Sequence, residues 1–234
     1  MGEDQIYIFL DERIEKTTRG ERLLILSFSV LKNNWSSLCN QTSHIVSVGL
    51  DKRLEEIQVL LEKVKGLAII TYGDIPREIL PKREIDGTND IPRMSRRDHI
   101  WANAIIFNLA YTFGLLSNKA SSFLEQIEIY HDPKNLTIPL RTALQNFIHD
   151  KLANFPKQKG FQNKFYVSKI SEVSKASNFQ SADLLQLGTS IADHLGHQAQ
   201  NLILTSTLPS RIKVLNQSND ILKSLKNFLH ECIL

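Results

Sequence analysis

The order in which strand-like and helix-like segments follow one another limits this chain to few architectures. Gln5 to Leu10 carries the unbroken apolar run Ile6-Tyr7-Ile8-Phe9-Leu10, which reads as a buried strand, with Asp11 and Glu12 at its end. A polar turn at Lys16 to Gly20 and a second apolar run, Leu23 to Leu31, complete a hairpin. From there the pattern alternates. Lys52 to Lys65 is helical, with Leu54, Ile57, Leu60, Leu61 and Val64 at helix spacing, and Gly66 closes it before a strand at Leu67 to Thr71.

Gly73 to Pro92 is a loop rich in Pro, Gly and charge. Ser95 and Asp98 make a capping pattern ahead of an apolar helix from Arg96 to Leu116. A fourth strand, Leu124 to Tyr130, runs into His131-Asp132-Pro133, and a helix opened by Thr137 and Pro139 extends to Ala153. A fifth strand at Lys164 to Val173 precedes a long helix, Phe179 to Leu202, and a last amphipathic helix covers Ile212 to His230. Hairpin strands first and helix-linked strands later predict an α/β fold. Its mixed five-stranded sheet carries helices on both faces, with an extra C-terminal helix.

Length and composition agree with one soluble domain over residues 1–234, of which about 210–234 is a helical extension. The chain is 42% hydrophobic and 23% charged, which is ordinary for a globular protein and argues against disorder. Its apolar runs are too short for a membrane span. Gly2, Glu3 and Asp4 do not open a secretion signal, and Cys39 and Cys232 lie too far apart in sequence to suggest a zinc site. A reducing cytoplasm is the expected setting. Charge is uneven: Pro133 to Leu234 holds twelve Lys or Arg against six Asp or Glu, leaving sixteen against nineteen before it. The basic half suits a polyanionic partner.

Asp11 and Asp132 both stand where a core strand runs out. If those strands are parallel neighbours, both carboxylates emerge at one edge of the sheet, where open α/β sheets place their sites. Asp183 is a third candidate, in the first turns of the long helix, where the plain alternative is helix capping. Turn formation is the corresponding alternative for Asp11 and Asp132. Asp98 is a weaker candidate of the same kind. Asp193, His194 and His197 sit close together on one helix at a spacing that can hold a metal or mark a solvated face. Lys151 to Ser171 holds five lysines and no acid, interleaved with Phe155, Phe161, Phe165 and Tyr166. Such a mixture can track phosphates and stack bases, or be a loop whose aromatics enter the core.

Two stretches carry a resemblance. Tyr7-Ile8-Phe9-Leu10-Asp11-Glu12 resembles the opening of the domain of unknown function 3800 family, an apolar strand followed by Asp-Glu-Ser-Gly. Ser174 to Leu185 is similar to the family's second hallmark, a serine, a spacer and Gln-x-Ala-Asp-Leu, matched by Gln180, Ala182, Asp183 and Leu184. Arg13 and Ile14 depart from the family's Ser and Gly. The resemblance implies a ribonuclease H-like fold with a cluster of Asp11, Asp132 and Asp183, Glu12 beside it, holding Mg²⁺ or Mn²⁺. It implies a metal-dependent nuclease or phosphodiester-transfer enzyme acting on nucleic acid. The rival expectation, which Arg13 favours, is a catalytically inactive binding or interaction protein on the same fold.

Overall fold

The computed structural model describes residues 5–37, 50–77, 96–117, 125–133, 138–158, 165–175, 183–204 and 208–219. Its centre is a sheet of six strands: β1 (Gln5–Thr17), β2 (Gly20–Leu31), β3 (Leu67–Pro76), β4 (Glu125–His131), β5 (Phe165–Glu172) and β6 (Ile212–Asn216). They lie in the order β5-β4-β1-β2-β3-β6. The hairpin expected from the apolar runs is present, with Thr17 opposite Gly20, and β3 continues it antiparallel. The helix-linked strands add in parallel, β4 beside β1, β5 beside β4, and β6 beside β3.

Side chains alternate across a strand, and β1 shows why both faces must be covered. Ile6, Ile8 and Leu10 enter one apolar cluster together with residues of α3 (Arg96–Ser117) and α4 (Ile138–Gln158). Tyr7 and Phe9 enter another, with residues of α2 (Leu50–Lys63) and α5 (Leu184–Leu204). A short helix, α1 (Lys32–Ser36), places Trp35 in that second layer, where its Nε1 donates to the Leu184 carbonyl at 2.9 Å. None of the described helices is long and apolar enough to cross a membrane.

The structure revises several boundaries. β1 does not stop at Leu10. It runs through Asp11 and Glu12 to Thr17, because β2 pairs with it along its whole length while β4 pairs only as far as Leu10. β3 likewise continues to Pro76, into the segment expected to be loop, and residues 78–92 of that loop lie outside the described residues. Ile212–Asn216 is a strand rather than the start of a helix: Ile212 is fully buried, and the segment completes the sheet against β3. Residues 220–234 of the expected C-terminal helix lie outside the described residues. The stop after α2 uses Lys65 at φ 54° in the left-handed position, with Gly66 N–H donating to the Leu61 carbonyl and Lys65 N–H to that of Glu62.

The approach of α5 to β1 sets the geometry at the end of that strand. Leu187, Ile191, Leu195, Ala199 and Leu202 form the buried stripe of α5. Between them Gly188 lies against the Phe9 ring so closely that a Cβ there would stand 2.3 Å from it. Phe9 cannot swing aside, since it is stacked between Phe28 and Tyr130, each with ring centroids 5.7 Å away. Gly188→Ala is therefore expected to cost roughly 1–3 kcal/mol, the usual range for overpacking. Chemical denaturation would read this as a lower midpoint, and an unchanged midpoint would contradict the close approach.

Candidate active site

β1 and β4 run parallel with Phe9 opposite Tyr130 and Leu10 opposite His131. The next residue on each is an aspartate, so Asp11 and Asp132 stand side by side. Asp11 continues the Tyr7 and Phe9 face, toward α5. Glu12, one residue on, continues the Leu10 face and is directed to the opposite side of the sheet.

Four further side chains complete the group. Lys175, three residues beyond β5, places Nζ 3.7 Å from Asp11 Oδ1, 3.3 Å from Asp132 Oδ2 and 2.9 Å from Asp193 Oδ1. Arg13 places Nε 3.7 Å from Asp11 Oδ2 and Nη2 3.4 Å from Asp193 Oδ1, and Nη2 also meets His197 Nε2. Asp193 and His197 come from α5, one turn apart. They reach this position because residue 196 is glycine: a Cβ there would lie 2.7 Å from Asp11 Oδ2 and 3.2 Å from Arg13 Nε.

Asp183 does not join the group. It caps α5: its Oδ1 accepts from the Gln186 N–H at 2.8 Å, and Gln186 Oε1 accepts from the Asp183 N–H at 3.2 Å. This is a reciprocal capping arrangement. It stands ten residues before Asp193, about 15 Å along the helix axis at ~1.5 Å per residue. The acid that α5 contributes is Asp193, which the sequence offers through its spacing from His197. Lys175 carries no sequence signal beyond lying in the serine-led stretch. Asp98 lies in the first turn of α3, whose apolar residues pack on the other face of the sheet. Of the lysine-rich stretch, residues 159–164 lie outside the described residues. Lys151 and Lys169 lie over the rings of Phe147 and Tyr130.

The electrostatics are unbalanced at Asp11. It is 4% exposed, and its Oδ2 has no hydrogen-bond partner. Burial, with the like charges of Asp193 and Asp132 added, lifts its carboxyl to about 6 against the opposing pull of Lys175 and Arg13. Asp193 moves the other way: burial works to raise it, but the hydrogen bond and charge of Lys175 hold it below its ordinary value. Lys175 is raised, since its carboxylate neighbours outweigh its burial. His197 is lowered, by burial first and then by the Arg13 charge. Among the described residues, no three His, Cys, Asp or Glu side chains are drawn together at metal-ligand spacing. The acids are instead spread around the Lys175 ammonium.

No protein-family model and no curated protein sequence matches the chain. Among solved structures it is similar to the ribonuclease H2 of Pyrococcus horikoshii OT3, with a TM-score of 0.45 and 13% identity over 88% of this chain and 81% of that one. The sheet with its antiparallel hairpin, parallel additions and helices on both faces is a mixed α/β architecture, extended at its edge by β6.

The raised Asp11 carboxyl fixes a sign. The folded chain binds this proton more tightly than the unfolded one, so stability falls as pH rises from about 4 to about 6 and is level above. Asp11→Asn removes that penalty. Without added metal it is expected to be the more stable protein at about pH 8, by up to about 3 kcal/mol, with no gain near pH 4. Thermal unfolding at the two pH values checks this, and a variant less stable than wild type at the higher pH would refute it.

Proposed function

We propose that the chain is a divalent-metal-dependent enzyme acting on phosphodiester bonds, a nuclease or phosphodiester-transfer enzyme. In this reading Asp11, Asp132 and Asp193 hold Mg²⁺ or Mn²⁺. The observation that carries it is the buried Asp11 carboxylate: its Oδ2 lacks a hydrogen-bond partner, and its Oδ1 lies 3.7 Å from the Lys175 ammonium that Asp132 and Asp193 also face. Hard oxygen donors of this kind suit Mg²⁺ and Mn²⁺. When bound, such an ion supplies Lewis-acid activation of the phosphodiester.

The chain's own residues have definite parts. Asp11 and Asp132 are fixed by the parallel register of β1 and β4, and Asp193 by the approach of α5. Lys175 offers a positive charge that moves from the carboxylates to an incoming phosphate. The likeness of Gln180, Ala182, Asp183 and Leu184 to the domain of unknown function 3800 hallmark supports placing the chain in that family. Here the hallmark aspartate starts the helix that delivers Asp193. Nucleic acid as substrate and a cytoplasmic setting belong to the same proposal. They rest on the basic C-terminal half and on two widely separated cysteines.

A second reading rests on Lys175 itself. Its Nζ already sits among the three carboxylates, at distances that fit an ammonium rather than metal–oxygen bonds of roughly 2.0–2.6 Å. A lysine permanently neutralising the acids would leave a non-catalytic binding protein.

Thermal unfolding with Mg²⁺ or Mn²⁺ separates the two. At an ion concentration about a hundredfold above Kd, wild type is expected to gain roughly 5–10 °C in Tm. Asp11→Asn should abolish the gain. Asp183→Ala should lower Tm by a few degrees through a lost cap worth about 1 kcal/mol, yet keep the full metal response. Cleavage of DNA or RNA oligonucleotides should follow the metal response. Absence of any shift in wild type would leave the second reading.

A further inference from the structure

Arg13 is where this chain departs from the family it resembles, and its surroundings are built rather than incidental. It lies two residues past Asp11 on the same face of β1, with its side chain laid against Gly196. A Cβ at 196 would crowd its Nε at 3.2 Å and its Cδ at 3.4 Å. Its hydrogen-bonding capacity is nevertheless underused. The Nε–H is buried and has no hydrogen-bond partner, and 3.7 Å separates it from Asp11 Oδ2. The contact with Asp193 is long, at 3.4 Å, where charge-assisted bonds settle near ~2.7–2.9 Å. Nη2 also donates to His197 Nε2, which requires that nitrogen to carry a lone pair and the ring to be neutral there. The guanidinium is thus held in place by two long carboxylate contacts and one neutral ring. It remains partly exposed, with 27% of its side-chain surface accessible.

Across Asp193 Oδ1 stands Lys175, so the two cations flank a single carboxylate oxygen. A fixed fork of N–H donors next to a second cation, at the rim of an acid cluster, matches the paired oxygens of a phosphate better than it matches the acids below. We propose that Arg13 is the phosphate-recognising residue of this site. It takes the non-bridging oxygens of a nucleic-acid phosphodiester, with His197 as the residue that positions its guanidinium. This deepens the function proposed above and rests on it for the chemistry performed on that phosphate.

The test is binding of short single-stranded DNA and RNA oligonucleotides, followed by fluorescence anisotropy over a range of salt concentrations without divalent ions. Arg13→Ala is expected to bind about tenfold more weakly, with a salt slope shallower by roughly 0.7, one single-strand phosphate contact. Arg13→Lys keeps the charge, so it should restore the slope but only part of the affinity, since lysine lacks the fork. Its fold is also the safer of the two if the alanine variant does not fold. In parallel, the Mg²⁺-induced Tm shift of Arg13→Ala should appear at equal or lower ion concentration than in wild type, because a repelling cation has gone. A residue that merely neutralised the acids would show that metal effect alone. Oligonucleotide affinity and salt slope unchanged in both variants, or no binding by wild type, would overturn the proposal. A missing metal response in wild type with the Arg13 effects intact would instead overturn the catalytic reading and leave the phosphate contact standing.

Discussion

The approach of α5 to β1 is the constraint on which the rest of this structure depends. Helices normally stand off a sheet by the depth of their side chains, but here glycine at 188 and 196 lets α5 come down onto Phe9 at one point and onto Asp11 and Arg13 at the other. The first contact is purely apolar and is locked by the rings of Phe28, Trp35 and Tyr130 around Phe9. The second is purely polar. One rigid helix therefore transmits the packing of the core into the placement of Asp193 and His197 over Asp11 and Arg13 of β1. A larger residue at 196 would push away the acid that the cluster needs, without touching the apolar core.

That arrangement sets stability against reactivity. A carboxylate as buried as Asp11 is tolerated in a fold only when it is paired or when it has work to do. Lys175 and Arg13 pair it incompletely, at 3.7 Å each and without a hydrogen bond to Oδ2. Elsewhere the same fold meets some of its buried donors closely. Asn108, fully buried on α3, donates to the carbonyls of Ile25 and Ile69 and to Thr71 Oγ1 within 3.2 Å. Ser27 and Thr112 pair their hydroxyls at 3.0 Å. Asn108 Oδ1 also lacks a hydrogen-bond partner, but it belongs to a neutral amide, whereas burial and acidic neighbours lift the Asp11 carboxyl to about 6, which marks Asp11 as a candidate site residue.

How much of this is legible in the sequence depends on the range of the interaction that decides each feature. The hairpin, the strands and the long helices follow from local periodicity, and the apolar runs of β1 and β4 already imply their burial. The juxtaposition of Asp11 and Asp132 requires only that those strands be parallel neighbours. Ile212–Asn216 departs from its expected helix because Ile212, Val214 and Leu215 fit a helical stripe as well as a strand, and the deciding partner, β3, lies far back in the sequence. The motif around Asp183 draws attention to that acid rather than to Asp193. Yet the position of an acid on a helix relative to a sheet is set by which turn of the helix makes contact. The signal for that is present in the small residues Gly188, Ala192 and Gly196, spaced every four along α5. It becomes readable only once Phe9 and Asp11 are known to lie beneath them. Lys175 cannot be singled out from sequence, since it follows β5 in irregular chain and acquires its role from three distant acids.

The charge balance of the finished group links the competing readings. Asp11, Asp132 and Asp193 face Lys175 and Arg13, three negative charges against two positive, with the His197 ring held neutral where it accepts from Arg13. The group as it stands is therefore net negative by one, with Asp11 buried and the Arg13 guanidinium partly exposed at its rim. In the proposed function, a divalent cation held by the three acids would turn that balance to positive by one. In that reading cation and phosphate would favour each other's binding, because the cation offsets the negative charge of both the acids and the phosphate. In the second reading Lys175 and Arg13 stay on the acids and there is no such reversal, since each faces the buried Asp11. In the proposed reading, the excess of one negative charge, beside the Asp11 oxygen that lacks a hydrogen bond, is what an added cation would complement.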